Sequence, residues 1–347
     1  MRFAVLLLIS VLAAPVLSAQ QRPVPSDGQW LIEPGERSGF VRLTIRYGER
    51  RYHDSWNSQD DVPMSQLVGL SAADMGGSGA TVHFKIVRSA GTLDCEGWFD
   101  DGKGSGHFTY QPNPDFVAEL GKRGINGPAP TAWEQFQMTM AGVGVELVDE
   151  LKRQGYTLPT AAELARMATH GVDLEYVRDI GARGYHLGDP KSLIRMRDHG
   201  VDGDYIAAMK AQGYEFRDLE SLVRMRDHGV DPDFIESLES AGYKNLGPED
   251  VVRVRDHGVD GDYIADMKEL GYAPASLEEL VASRDHGVDP SYVVSLKEAG
   301  YGNLSLEQLS RARDHGVTRG FIARVKARGY GNPSLEEVIR LRDRGLE

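Results

Sequence analysis

The sequence predicts an α+β protein, a small antiparallel β domain followed by an α-helical solenoid of 29-residue two-helix repeats. Three observations lead there. Apolar and polar residues alternate with a period of two from Trp30 to about Pro112. His-Gly-Val recurs every 29 residues, at His170, His199, His228, His257, His286 and His315. Gly-Tyr recurs at the same interval, at Tyr156, Tyr185, Tyr214, Tyr243, Tyr272, Tyr301 and Tyr330. A constant interval without insertions marks a stacked array.

The chain has 347 residues, 26% of them charged, with a formal net charge of −13 and one cysteine. Residues 1–19 (MRFAVLLLISVLAAPVLSA) read as a signal peptide cleaved after Ala19, with Arg2 before a mostly apolar run too short to span a bilayer. Residues 20–29 read as a flexible leader. No later stretch approaches 18 consecutive apolar residues. The expectation is a periplasmic or secreted protein with no stable membrane insertion after signal cleavage. The acidic balance argues against nucleic acid as a partner.

The β domain spans residues 30–112. Phe40–Tyr47 sets Val41, Leu43, Ile45 and Tyr47 against Arg42, Thr44 and Arg46. Thr81–Arg88 sets Val82, Phe84 and Ile86 against His83 and Lys85, and Thr92–Asp100 sets Leu93, Cys95 and Phe99 against Asp94, Glu96 and Trp98. Gly106–Gln111 is a further short strand. Turn sequences at Ser89–Gly91 and Asp100–Gly104 predict that the last three strands form a meander. The segment Asn57–Gly79 is rich in Asp, Ser and Gly; a short helix near Met64–Leu70 and a mobile loop at Gly76–Gly79 are expected. Cys95 shares the apolar parity and reads as a buried small hydrophobe. The opposite face offers Asp94, Glu96 and Trp98, with His53 from the preceding loop, as a candidate ligand or hydrolytic site. A solvated sheet face explains the same residues without a ligand.

The array spans residues 113–347. Asp115–Gly124 resembles the second helix of a unit, Ala141–Gly142–Val143 occupies the His-Gly-Val register, and Ser334–Gly345 is a last first helix. Within the unit starting at Ser276, Ser276 and Glu279 form a capping box. Gly287 supplies the left-handed helix stop and Val288 its apolar contact. Asp289 caps the second helix, and Pro290 sits where no N–H is needed. Thr131–Glu134, Thr160–Glu163 and Ser334–Glu337 repeat the box. Apolar columns run through both helices: Leu164, Leu193, Leu222, Val251, Leu280, Leu309 and Val338 in the first, Tyr176, Tyr205, Phe234, Tyr263, Tyr292 and Phe321 in the second. Helices this short are marginal alone, so each unit must bury these residues against its neighbours.

The histidines at 170, 199, 228, 257, 286 and 315 are the tempting chemistry. Equivalent positions of packed helices lie about 8–10 Å apart, whereas two nitrogens on one zinc lie within about 4.2 Å. Register histidines therefore cannot share a metal, and no metal or cofactor is expected. Each His instead reads as a helix terminator that donates to the last carbonyls and favours the negative dipole end. Arg–Asp pairs precede five of them and are expected to form charge ladders between units. A second column, Arg195, Arg224, Arg253, Arg311 and Arg340, is a candidate interaction surface. Nucleophile elbows, HExxH, P-loops, GxGxxG after a strand and EF-hand loops are absent from the sequence, so no catalytic residue is assigned.

Phe84–Leu120 (FKIVRSAGTLDCEGWFDDGKGSGHFTYQPNPDFVAEL) together with Arg226–Tyr243 (RDHGVDPDFIESLESAGY) resembles secreted bacterial proteins in which a small β domain precedes tandem His-Gly-Val/Gly-Tyr helical repeats. The repeats are similar to extracytoplasmic regions of some membrane zinc peptidases of the β-lactam-receptor type. The resemblance implies the order of domains and export, and no activity. This chain has no HExxH motif, so no peptidase function is carried over. The reading that follows is an exported, non-enzymatic protein–protein interaction or scaffold protein, with a protein partner in the cell envelope or outside the cell. The alternatives are a hydrolase or small-ligand protein with its site in the β domain, and an accessory sensor of envelope stress or antibiotic response.

Overall fold

A computed structural model describes residues 24–35, 37–47, 56–77, 79–216, 218–273 and 275–346, with residues 56–60 described by their backbone. Residues 1–19, read as a signal peptide, and His53 lie outside them. The protein is mixed α/β, an N-terminal seven-stranded antiparallel sheet followed by a tandem series of helices. It divides into two compact units, Met1–Asp198 and His199–Glu347.

The sheet of the first unit comprises β1 (Asp27–Pro34), β2 (Phe40–Tyr47), β3 (Trp56–Pro63), β4 (Leu67–Val68), β5 (Thr81–Arg88), β6 (Gly91–Asp100) and β7 (Lys103–Pro112). Their order is β3-β2-β1-β7-β6-β5-β4. The expected meander is β5–β6–β7, closed at one end by the Asp101–Gly102 turn, both of whose residues have positive φ.

Three local expectations change. β1 begins at Asp27 and takes residues 27–29 from the stretch read as a leader, because Gln29 pairs on both sides, with Arg46 and with His107. β3 was hidden by its polar composition; its backbone pairs along the whole of β2, from Phe40–Pro63 to Tyr47–Trp56. The helix expected near Met64–Leu70 is a single 3-10 turn at Met64–Gln66 followed by β4, where Leu67 pairs with Ile86. The helix there is α1 (Ala72–Met75), started by a Ser71–Asp74 capping box.

One face of the sheet is the core. Trp30, Ile32, Val41, Leu43, Ile45, Phe84, Ile86, Leu93, Cys95, Phe99 and Phe108 are buried together. Glycines make room for its largest ring. Gly97 and Gly106 face each other across β6 and β7. A Cβ at Gly106 would sit 2.0 Å from the Glu96 carbonyl oxygen and 2.7 Å from the Trp30 ring. The glycines of the Gly102–Gly106 segment thus shape the core as well as the turn.

Besides α1, this unit holds the helices α2 (Phe116–Lys122), α3 (Ala132–Ala141), α4 (Val145–Arg153), α5 (Ala161–Thr169), α6 (Leu174–Ala182) and α7 (Pro190–Asp198). α3 is both the first helix of the array and part of the β core. Its Phe136 is fully buried among the sheet side chains and meets Tyr47 and Tyr110 edge-on, at 4.6 and 5.0 Å between centroids. Gln135 Nε2 donates to the carbonyls of Ala90 and Asn113 at 2.8 and 2.9 Å. α3 then packs on α5, and α4 on α6. Glu150 on α4 is 5% exposed and accepts from Arg153 and Gln154, with Arg178 of α6 at 3.5 Å. The Arg153 hydrogen bonds lead in holding its carboxyl at about 2, against an ordinary value of 4.5.

The second unit contains α8 (Gly203–Ala211), α9 (Leu219–Asp227), α10 (Pro232–Ser240), α11 (Pro248–Asp256), α12 (Gly261–Glu269), α13 (Leu277–Asp285), α14 (Pro290–Glu298), α15 (Leu306–Asp314), α16 (Arg319–Val325) and α17 (Leu335–Asp343). First helices touch first helices, α9 on α11 and α13 on α15; second helices touch second helices, α10 on α12, α12 on α14 and α14 on α16. The capping grammar is present as read. Ser276 and Glu279 cap α13 reciprocally. Gly287 has φ 69°, its N–H donates to Arg284 O, and Val288 N–H donates to Ser283 O, both at 2.9 Å. Asp289 then accepts from Tyr292 N at 2.8 Å.

Two outcomes follow from this packing. Gly106→Ala should lower stability by about 1–3 kcal/mol through overpacking against the Glu96 carbonyl and the Trp30 ring, while Gly302→Ala, with open space around its Cβ, should stay within about 0.5 kcal/mol of the parent in urea unfolding. Glu150 is depressed in the folded state, so its stabilisation is complete above pH 4.5 and is lost as the pH falls towards about 2. The stability gap between the parent and Glu150→Gln should therefore close over that window; a gap constant from pH 5 to 2.5 would exclude this linkage.

Candidate functional site

The repeated Arg-Asp-His-Gly segment is where charged and aromatic chemistry concentrates, and the structure gives each of its residues a partner in an adjacent unit of the repeat. The imidazole Nδ1 of each register histidine meets the Oδ1 of an aspartate 28 residues later. The pairs are His170–Asp198, His199–Asp227, His228–Asp256, His257–Asp285, His286–Asp314 and His315–Asp343, at 2.5–2.8 Å. A carboxylate oxygen accepts, so Nδ1 carries the hydrogen and the tautomer is set. The expected partners were the helix-terminal carbonyls; these already accept backbone N–H groups of the glycine stop, as Met225 O does from Val230.

The arginine beside each aspartate does something else. The guanidinium carbons of Arg197, Arg226, Arg255, Arg284, Arg313 and Arg342 lie 4.7–5.1 Å from the ring centroids of Tyr176, Tyr205, Phe234, Tyr263, Tyr292 and Phe321. Each Nε also lies over the preceding unit's helix-stop glycine, 3.4–3.6 Å from where a Cβ would be. Those glycines have φ of 64–69°, so the residue type serves both the turn and the approach of the arginine. Where the aromatic is tyrosine, its hydroxyl reaches the next unit too: Tyr205, Tyr263 and Tyr292 donate to the carbonyls of Val230, Val288 and Val317 at 3.0 Å. Burial pushes the Tyr263 and Tyr292 phenols up to about 12. The Gly-Tyr tyrosines 214, 243, 272 and 301 likewise donate to carbonyls 32 residues on, at 2.6–2.9 Å.

The two halves of the motif occur together or not at all. At the first register Ala141 stands for His, and the residues that would dock on that unit are also absent: Ala168 stands for Arg and Thr169 for Asp. Leu147 replaces the aromatic. There Arg88 of β5 substitutes, lying against Gly142 and donating to Thr139 O at 2.6 Å and to Met140 O. This substitution could not be seen in the repeat pattern, because Arg88 lies outside it.

The second arginine column, read as an interaction surface, is largely engaged. Arg224 pairs with Glu249 at 2.6 Å, Arg253 with Glu278 at 3.0 Å, and Arg311 with both oxygens of Glu336 at 2.7 and 2.9 Å. Arg195 and Arg340 are exposed, and Arg195 also has a partner. Glutamates in the first turn of the following unit's first helix thus neutralise much of the stripe.

In the β domain, Asp94, Glu96 and Trp98 share the outer face of β6. His83, Glu96 and His107 stand in one cross-strand row, and Lys85, Asp94 and Thr109 in the next. Lys85 Nζ is 2.8 Å from Asp94. Both rows line an open depression of about 520 Å³. Trp98, 52% exposed, lies on the same face between Thr81 and Ser105, outside the lining of that depression. His53 lies outside the described residues. Cys95 faces the core, and burial, with Asp94 beside it, pushes the thiol up to about 12, which keeps it unreactive. Among the described residues, no group of three or more His, Cys, Asp and Glu side chains is placed to hold a metal ion. No helix is long and apolar enough to cross a membrane among the described residues.

No protein-family model and no curated protein matches the chain.

The ladder makes a quantitative statement. In a double-mutant cycle, His257→Ala and Asp285→Ala should couple by about 0.2–1 kcal/mol, the range for half-exposed pairs. A second cycle of Arg255→Ala with Phe234→Leu should couple by about 0.5–1 kcal/mol. Additive effects in both cycles, read from chemical denaturation, would show that the contacts hold nothing together.

Proposed function

We propose that this is an exported, non-enzymatic interaction or scaffold protein whose helical units form a solenoid and present their outer face to a protein partner. The observation that carries this reading is a division of labour along the repeat. The recurring Arg, Asp, His and aromatic side chains face the adjacent unit, while one column of the second helices is both exposed and variable. That column is Arg178, which reaches Glu150, then Ala207, Glu236, Ala265, Val294 and Ala323. A constant frame carrying a changing surface is what repeat arrays use to recognise partners. The N-terminal segment supports export to the periplasm or the exterior, and the acidic charge favours a protein over a nucleic acid as partner.

The test is cross-linking in intact cells with the full chain, followed by identification of the cross-linked species. A single protein partner should be recovered by the parent and lost when Glu236 and Val294 are both changed to arginine, with unfolding temperature unchanged. A chain that cross-links to no protein and turns over a small substrate would overturn the reading.

A further inference from the structure

The second arginine column, whose members Arg224, Arg253 and Arg311 pair with first-turn glutamates, is interrupted once. At this register the sequence reads Arg166, Arg195, Arg224, Arg253, Ala282, Arg311 and Arg340. The glutamate that would receive residue 282 is retained as Glu307, and among the described residues no cation pairs with it. Two further departures fall at the same place. Ser283 stands where the other units have Met167, Met196, Met225, Val254, Ala312 and Leu341. Ser310 stands where they have Ala165, Ile194, Val223, Val252, Val281 and Ile339. Arg and two apolar residues have thus become Ala, Ser and Ser on two helices that touch, α13 and α15. The result is an open depression of about 580 Å³, lined by Ala282, Ser283, Glu279, Glu307, Ser310 and Tyr272 among others.

We propose that this depression receives an arginine side chain presented by a partner protein. The inference rests on the interaction reading above and names the chemistry of its contact. The same seat in sister units shows what fits. Arg311 occupies it against Glu336 with two parallel bonds, at 2.7 and 2.9 Å, and Arg224 and Arg253 occupy it against Glu249 and Glu278. A guanidinium from outside reproduces that geometry with Glu307, since planar forked donors match a carboxylate. The serines supply short polar walls where apolar bulk would otherwise close the space. Tyr272 stands at the rim, its hydroxyl held by Leu304 O at 2.9 Å and its ring already carrying Lys297 Nζ at 5.6 Å from the centroid, so the carboxylate of Glu307 is the contact left for the guanidinium.

The probe is the blocked tripeptide acetyl-Gly-Arg-Gly-amide, titrated into the full chain and followed by amide shifts in NMR. Binding should move Ala282, Ser283 and Ser310, with affinity on the order of millimolar for so small a ligand. The citrulline counterpart and the Glu307→Gln variant should each bind about tenfold more weakly, the loss expected for one charge-assisted contact. Ala282→Arg restores the column, so it should block the peptide while leaving the unfolding temperature equal or higher. Equal binding of arginine and citrulline, or peptide binding that survives Ala282→Arg, would overturn the proposal, and so would a lower unfolding temperature for that variant. The cross-linked partner separates the two readings. If Ala282→Arg blocks the peptide and the partner is still captured, the site is not the partner contact and this inference fails alone. If the peptide binds as expected and no partner is captured, the interaction reading fails and the arginine site stands.

Discussion

Nine residues make two and a half turns, too few for a helix to hold itself together in water. Nearly every helix of the array has about this length, so the fold depends on docking between units. Apolar columns supply most of that contact: Leu222, Val251, Leu280 and Leu309, and the aromatic row with its Val or Ile neighbours, are all buried. The Arg-Asp-His-Gly segment adds direction. Its arginine and aspartate reach back to the glycine, aromatic and histidine of the unit before. Hydrophobic contact alone tolerates sliding, whereas a guanidinium on one ring and a carboxylate on one imidazole tolerate little.

The same logic explains the start of the array. The first unit has neither the histidine nor the residues that would dock on it, and the β domain takes their place. Phe136 and Met140 of α3 enter the sheet core, while Arg88 covers the Gly142 stop and holds the last carbonyls of α3. The sheet core thus takes up the apolar side of α3. A boundary drawn at residue 112 or 113 marks a change of periodicity in the sequence, but the packing continues through it.

The histidines, tyrosines and arginines that look like chemistry mostly fasten one unit to another, with partners 21 to 32 residues away. On the interaction reading proposed above, a partner would meet the chain where the pattern varies or breaks. The variable exposed column of the second helices is one such place, and the Ala282–Ser283–Ser310 interruption is another. The outer face of β5–β7 is a third polar surface, with Lys85 balancing Asp94 and Trp98 exposed beside them.

Local rules determined much of this protein from the sequence alone. Capping boxes, glycine stops and proline positions act within a few residues, so helix limits were legible to within a residue or two, as were strands β2, β5 and β6. Alternation in β6 assigned Cys95 to the core and Asp94, Glu96 and Trp98 to the opposite face. The first residues of β1 and the whole of β3 were not legible, because their polar residues carry no period and only pairing, of β1 with β2 and β7 and of β3 with β2, defines them. The partner of each histidine was likewise decided by tertiary structure: a spacing of 28 residues has meaning only once one unit is laid against another. Arg88, distant in sequence from the helix it caps, and the depression at Ala282, visible only when α13 meets α15, belong to the same class. Contacts made across sequence distance depend on which surfaces meet, and that is settled by packing.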